Sequence, residues 1–206
     1  MTRVVLTLAA CLVAVILGGS LSMLIFGTDT SRPYVIKGRE DIGGPFTLVN
    51  HAGQPTTEAV LDGKVSLLYF GYTYCPDFCP NGLGIISDVL DRLETSGIDA
   101  QGVFISVDPK RDTPEALGEY IGSFHPKITG LTGTMEQVEA AAETWGAIFR
   151  YTEDADFPGG YLVDHTVFID VVDANGRLIG SFPHGRTDAE NVLLPERIAK
   201  AIQEQI

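Results

Sequence analysis

Two cysteines four positions apart, Cys75 and Cys79, stand in the stretch Gly71-Tyr72-Thr73-Tyr74-Cys75-Pro76-Asp77-Phe78-Cys79-Pro80. Thiolates are nucleophiles and soft metal ligands, so the pair offers disulfide exchange, metal binding or both. A nearly continuous apolar run, Val65-Ser66-Leu67-Leu68-Tyr69-Phe70, precedes it, and Leu83, Ile86, Leu90 and Leu93 follow at helical spacing. The cysteines are therefore expected where a buried central strand gives way to an amphipathic helix. Sites in α/β sheets cluster at that end of the strands, and N–H groups at a helix start stabilise a thiolate.

On a regular helix, residues four apart hold their Cβ atoms ~5–6 Å apart, beyond the ~3.5–4.5 Å that a disulfide needs. Pro80 fits best as the first helical residue, with Cys79 at the cap and Cys75 in the loop before it. Such a loop can close to a disulfide or open to a metal, whose two bonds of ~2.3 Å need sulfurs only ~4 Å apart. The competing reading is an ordinary disulfide or a pair of buried thiols. A loop this short gains little closure entropy, which weighs against simple stapling.

A selective metal site needs a third ligand, and the chain has four histidines. His165, in Val163-Asp164-His165-Thr166, is expected at the entry to a strand, where a loop from across the sheet can reach the thiols. His51 in a turn, His125 before Pro126 and His184 in Pro183-His184-Gly185 occupy places where solvated histidines are common. Position alone prefers His165 among the four histidines only modestly, and a satisfied structural role remains the stronger reading for it. Two thiolates and one imidazole suit Cu(I), or Cu(II) with a weak further ligand, whereas zinc wants a fourth strong ligand. Methionine is too scarce for a Met-rich copper site: Met1 and Met23 fall in the apolar N-terminal region and Met135 at a helix start.

The rest of the chain has to position these groups. Its 206 residues include 14 Lys plus Arg and 27 Asp plus Glu, a formal charge of −13. With 45% hydrophobic residues the composition excludes disorder, and the acidic balance repels phosphate backbones, so nucleic acid is not an expected partner. The length suits one core with an appendage. That appendage is residues 4–26, 23 positions without a charge, 13 of them Leu, Ile, Val or Phe. As a helix they would measure ~34 Å, enough to cross a ~30 Å hydrocarbon core. A cleaved signal peptide and a lipoprotein signal at Leu8-Ala9-Ala10-Cys11 compete with an uncleaved anchor. The anchor is favoured, because mostly apolar residues rather than a polar tether follow Cys11.

The domain reading is accordingly a membrane anchor over 1–27, a tether over 28–42 and a folded domain over 43–206. Arg32, Lys37 and Arg39 beyond the span outnumber Arg3 before it, against a simple positive-inside count, although long domains cross regardless of such charges. No Arg-rich, Ser-rich transit sequence precedes the span, so the expectation is a single-pass protein of a bacterial inner membrane with its domain in the periplasm.

Within the domain, Phe46 to Val49 and a turn at His51-Ala52-Gly53 suggest a hairpin. Val103 to Val107 reads as a second buried strand, and Thr113-Pro114 as a helix start. Thr134 and Gln137 form a capping box ahead of Val138, Ala141, Ala142 and Trp145. Asp173-Ala174-Asn175-Gly176 separates two strands, 166–172 and 177–182, and Pro195 opens a last helix with Ile198 and Ile202 on one stripe. The order βαβα, a helix, then ββα predicts an α/β, thioredoxin-like fold, a central mixed sheet flanked by helices.

At this level the chain resembles the Sco (SenC) family of membrane-anchored, thioredoxin-fold copper chaperones. The resemblance rests on Phe70 to Pro80, on Ser106-Val107-Asp108-Pro109-Lys110-Arg111-Asp112-Thr113-Pro114, on Gly130-Leu131-Thr132-Gly133 and on Val163-Asp164-His165-Thr166, in that order. It implies that Cys75 and Cys79 bind copper through sulfur and His165 through nitrogen, with Asp77 and Asp164 as candidate outer groups. It further implies delivery of copper to the binuclear centre of a cytochrome c oxidase subunit, with other copper chaperones or a thioredoxin-like reductant as further partners. The rival reading is a thiol:disulfide oxidoreductase that reduces the cysteines of that centre. A peroxidase is disfavoured because the Cys motif supplies no arginine locally. Asp108 and Arg111 to Thr113 are expected to order a loop and cap the next helix. The stretch Phe157-Pro158-Gly159-Gly160 departs from the family in lacking a charged loop.

Overall fold

The longest apolar segments form the middle of the sheet. In the computed structural model, which describes residues 42–185 and 191–205, β3 (Val65–Gly71) and β4 (Ala100–Ser106) run parallel, every residue of both buried. Burial on both faces is what a parallel pair under helices requires. β5 (Ile128–Thr132) continues the parallel set beyond β4. β1 (Thr47–Asn50) and β2 (Pro55–Thr57) complete that edge as an antiparallel hairpin. On the other side β8 (Phe168–Val172) lies antiparallel to β3, and β9 (Leu178–Pro183) lies antiparallel to β8. The sheet order is β2-β1-β5-β4-β3-β8-β9. Helices α1 (Phe78–Thr95), α2 (Pro114–Ile121), α3 (Met135–Thr144) and α4 (Leu194–Gln203) cover it, giving a mixed α/β, thioredoxin-like fold.

The sequence signals act as expected at most boundaries. Leu83, Ile86, Leu90 and Leu93 of α1 are all buried, each contributing roughly 1.5–3 kcal/mol relative to exposure. Thr113 caps α2 by accepting from the Ala116 N–H, and Thr134 and Gln137 cap α3 reciprocally. Ile198 and Ile202 of α4 are buried where it packs on α1.

Three features differ. β5 is a strand the residue pattern hides, since Ile-Thr-Gly-Leu-Thr carries a central glycine and too short an alternation. A separate two-stranded ribbon, β6 (Phe149–Glu153) and β7 (Tyr161–His165), also escapes the pattern, because four of the five β6 residues are exposed. His165 consequently ends β7 instead of entering the following strand. Finally, α1 starts at Phe78 with Asp77 as its cap residue, so Cys79 is the second helical position and Pro80 the third. Proline is tolerated there because the N–H groups of a first turn have no intrahelical partner.

Among the described residues no helix is long and apolar enough to cross a membrane. The expected anchor, and the tether apart from Ile42, lie outside the described residues.

Candidate metal centre

Strand β3 delivers the chain to its carboxyl end, and the loop from Tyr72 to Asp77 turns it into α1. Cys75 and Cys79 are both reduced and buried there. The Cys79 N–H donates to the Cys75 sulfur at 3.3 Å, so this sulfur fills the role of a helix cap. The Tyr72 N–H donates to the Cys79 sulfur at 3.4 Å. Hydrogen bonding from the Cys79 thiol, joined by the N–H groups of Cys79 and Asp77, holds the Cys75 thiol well below its ordinary range despite burial. Burial pushes the Cys79 thiol up instead. One sulfur is thus poised as a thiolate and the other keeps its proton.

The imidazole arrives from β7. His165 Nε2 lies 3.4 Å from Cys79 Sγ. Its Nδ1 lies 2.8 Å from the Thr166 carbonyl oxygen, which only accepts, so Nδ1 carries the hydrogen and the Nε2 lone pair faces the thiols. The ring stands edge-on to Tyr72, with centroids 5.8 Å apart, and to Tyr69 at 6.2 Å. The two sulfurs and Nε2 all fall within 4.8 Å of one another. A trigonal ion with bonds of ~2.3 Å spaces its donors ~4 Å apart, so the three need move little to enclose one. Two soft sulfurs and one imidazole select Cu(I) over harder cations.

Further residues hold the sulfurs in place. A Cβ at Gly71 would stand 2.7 Å from Cys79 Sγ and 2.7 Å from Phe104 Cε2, so only glycine lets that sulfur lie against β3. Buried Asp112 accepts from the Thr73 N–H at 3.1 Å, the Thr73 hydroxyl at 2.6 Å and the Ser106 hydroxyl at 2.6 Å. This carboxylate ties the Cys loop to the end of β4. Burial raises its pKa. Tyr69, its own pKa pushed up by burial, places its hydroxyl 3.1 Å from His184 Nε2. The Thr113 cap is therefore only part of what the 106–114 motif does.

Other expected groups fall elsewhere. Asp77 is exposed at the helix cap, and its N–H is what reaches Cys75. Asp164 is exposed and accepts from Thr152 at 2.9 Å, because neighbours on a strand point to opposite faces. The remaining histidines are not solvated as expected. His51 Nδ1 accepts from the Gly130 N–H, and His184 is buried with its pKa lowered by that burial. His125 faces Asp91 at 3.5 Å while its Nδ1 accepts from the Lys127 N–H, so in the neutral ring Nε2 bears the hydrogen and offers no lone pair. An arginine does reach the Cys loop, from the second motif: the Arg111 guanidinium lies 4.8 Å from the Tyr74 ring centroid. Asp108 and two backbone carbonyls already engage it.

Set beside known proteins, residues 35–203 match the SCO1/SenC family model. The chain belongs to the SCO1/SenC family. It is 41% identical over 176 residues to Protein SCO2, mitochondrial, of Saccharomyces cerevisiae, covering 85% of this chain and 56% of that one. It therefore spans little more than half the length of this yeast SCO1/SenC relative. A SCO2-like protein of Rickettsia prowazekii, RP587, is 37% identical over 169 residues, 80% of this chain and 82% of its own. In three dimensions the SCO1/SenC chain is similar to Arabidopsis thaliana ScoI with copper bound, at TM-score 0.72 and 37% identity, covering 79% of this chain and 99% of that one.

Proposed function

We propose that the protein is a copper metallochaperone that holds copper on Cys75, Cys79 and His165 and delivers it to the binuclear copper centre of cytochrome c oxidase during assembly. The observation that carries this reading is the convergence of one imidazole and two reduced thiols within 4.8 Å. The similarity to a copper-bound ScoI supports copper as the cargo. Cys75 meets the ion as a thiolate, whereas binding at Cys79 displaces its proton, which leaves to water. Three-fold coordination leaves an approach open to a sulfur from the acceptor, so copper passes by stepwise ligand exchange with no net redox change.

We further place the domain in the periplasm, on a single N-terminal span in a bacterial inner membrane. Another copper chaperone would supply the ion, and a thioredoxin-like reductant would keep the thiols reduced. The membrane reading rests on the uncharged run at 4–26 alone.

A second reading is favoured by the asymmetry of the pair. A thiolate at Cys75 and a protonated, buried Cys79 suit thiol–disulfide exchange. Cys75 would attack a partner disulfide, releasing one thiolate. Cys79 would then close the Cys75–Cys79 disulfide and release the second. The partner gains two electrons and the pair loses two. Copper titration of reduced and oxidised protein, followed by thiolate-to-copper absorption, separates the readings. A strong band in the reduced form alone supports chaperoning, and none in either form overturns it.

A further inference from the structure

Among the described residues, β6 and β7 make backbone ladder pairs only with each other, outside the seven-stranded sheet. The ribbon that carries His165 therefore has no ladder to hold it, and a two-stranded hairpin alone is marginal in water. Side chains have to fix it instead. The Tyr151 hydroxyl donates to the Val107 carbonyl at 2.7 Å, the Tyr161 hydroxyl to Asp108 Oδ1 at 2.8 Å, and the Val163 N–H to the Tyr72 hydroxyl at 3.4 Å.

Arg111 does more than any of these. Its Nε pairs with buried Asp108, and its Nη1 donates to the carbonyls of Pro158 at 2.8 Å and Tyr161 at 3.1 Å, both in the hairpin. The guanidinium lies 3.8 Å from the ring centroid of Tyr161 and 5.9 Å from that of Phe157, on the hairpin side. It lies 4.8 Å from Tyr74 and 5.6 Å from Tyr72, on the Cys-loop side. The side chain is only 10% exposed. Gly159 passes so close that a Cβ there would stand 3.3 Å from Nη1, at a φ of +84° that side chains rarely adopt. The uncharged Phe157-Pro158-Gly159-Gly160 turn is thus shaped to lie on this cation.

We propose that Arg111 is a positioning residue that clasps the hairpin turn to the Cys loop and so keeps His165 within coordinating reach of Cys75 and Cys79. The clasp rests on the reading of His165 as a ligand. It needs arginine, because a planar fork can bond two carbonyls and a carboxylate while its faces stack on rings, and an ammonium cannot.

The test compares the full-length wild type with Arg111→Met, Gly159→Ala and His165→Ala. Gly159→Ala lifts the turn while leaving the Asp108–Arg111 pair intact, and so serves if Arg111→Met fails to fold. Cu(I) competition titrations should show both clasp variants weakened about 10- to 100-fold, as for loss of a group that orients a ligand. Adding Arg111→Met to His165→Ala should cost no further affinity. In metal-free protein, the amides of β7 should exchange faster while those of β3 and β4 keep their protection. Wild-type affinity and exchange in both variants, or an equal loss of protection in β3 and β4, overturns the clasp. Failure of the wild type to bind copper, or full affinity in His165→Ala, overturns the ligand reading instead, and β7 exchange still decides whether Arg111 holds the hairpin.

Discussion

His165 Nε2 lies 3.4 Å from the Cys79 sulfur although 86 positions separate the two residues in sequence. Neither residue is on the same sheet ladder as the other. The contact exists because a ribbon outside the main sheet folds over the carboxyl end of β3, so the ring and the sulfurs can be disturbed separately.

Replacing His165 by Ala removes a ligand while leaving both thiols where β3 and α1 put them. Cu(I) affinity should fall by more than the ~10- to 100-fold typical of losing an orienting group, while the dithiol remains oxidisable and reducible. Competition titration and thiol counting check the two halves. Undiminished copper affinity would sink the site.

The thiols should titrate far apart. Because the Cys75 pKa is lowered and that of Cys79 raised, acidification below neutrality leaves one thiolate per reduced chain, and the second deprotonates only above the ordinary thiol range. Thiolate ultraviolet absorbance against pH should show the low transition lost in Cys75→Ala. In Cys79→Ala it should move upward, since the largest stabilising contribution to the Cys75 thiolate comes from the Cys79 thiol.

Gly71→Ala puts a Cβ 2.7 Å from the Cys79 sulfur. Overpacking of this kind costs ~1–3 kcal/mol, and relief requires either the sulfur or the Phe104 ring to move. Chemical denaturation should register the loss, and copper affinity should fall with it. A variant as stable and as copper-competent as the wild type would show that the sulfur is not confined by β3.

Thr73→Val removes the hydroxyl that donates to Asp112 at 2.6 Å and keeps the side chain's shape. A hydrogen bond to a charged group is worth ~1.5–3 kcal/mol, so denaturation should show a loss of that order. Alkylation of Cys75 should quicken as the loop loosens. Unchanged stability and reactivity would remove Asp112 from the support of the Cys loop.

The legible parts were those with local physics. The apolar run of β3, the stripe Leu83-Ile86-Leu90-Leu93, and the caps at Thr113 and Thr134 each carry their signal within a few residues, and each forms as expected. β6 was illegible for the opposite reason. A ribbon exposed on most of its residues needs no apolar alternation, so Phe-Arg-Tyr-Thr-Glu reads like a loop. In sequence Asp112 and Arg111 look like loop and cap residues, because their partners, Thr73 and the hairpin turn, lie 39 and 47–50 positions away.

Residue types and spacing alone determined that the chain carries a dithiol at a strand-to-helix turn, and the family entered through the resemblance of four motifs in order along it. Only the tertiary structure decided that His165 meets those thiols, with its Nε2 lone pair toward them, while His184 lies buried beside Tyr69 and Asp164 points away. The division is physical. Helix and strand formation is governed by neighbours along the chain, whereas ligand convergence depends on which surfaces pack, and that balance is struck between segments far apart in sequence.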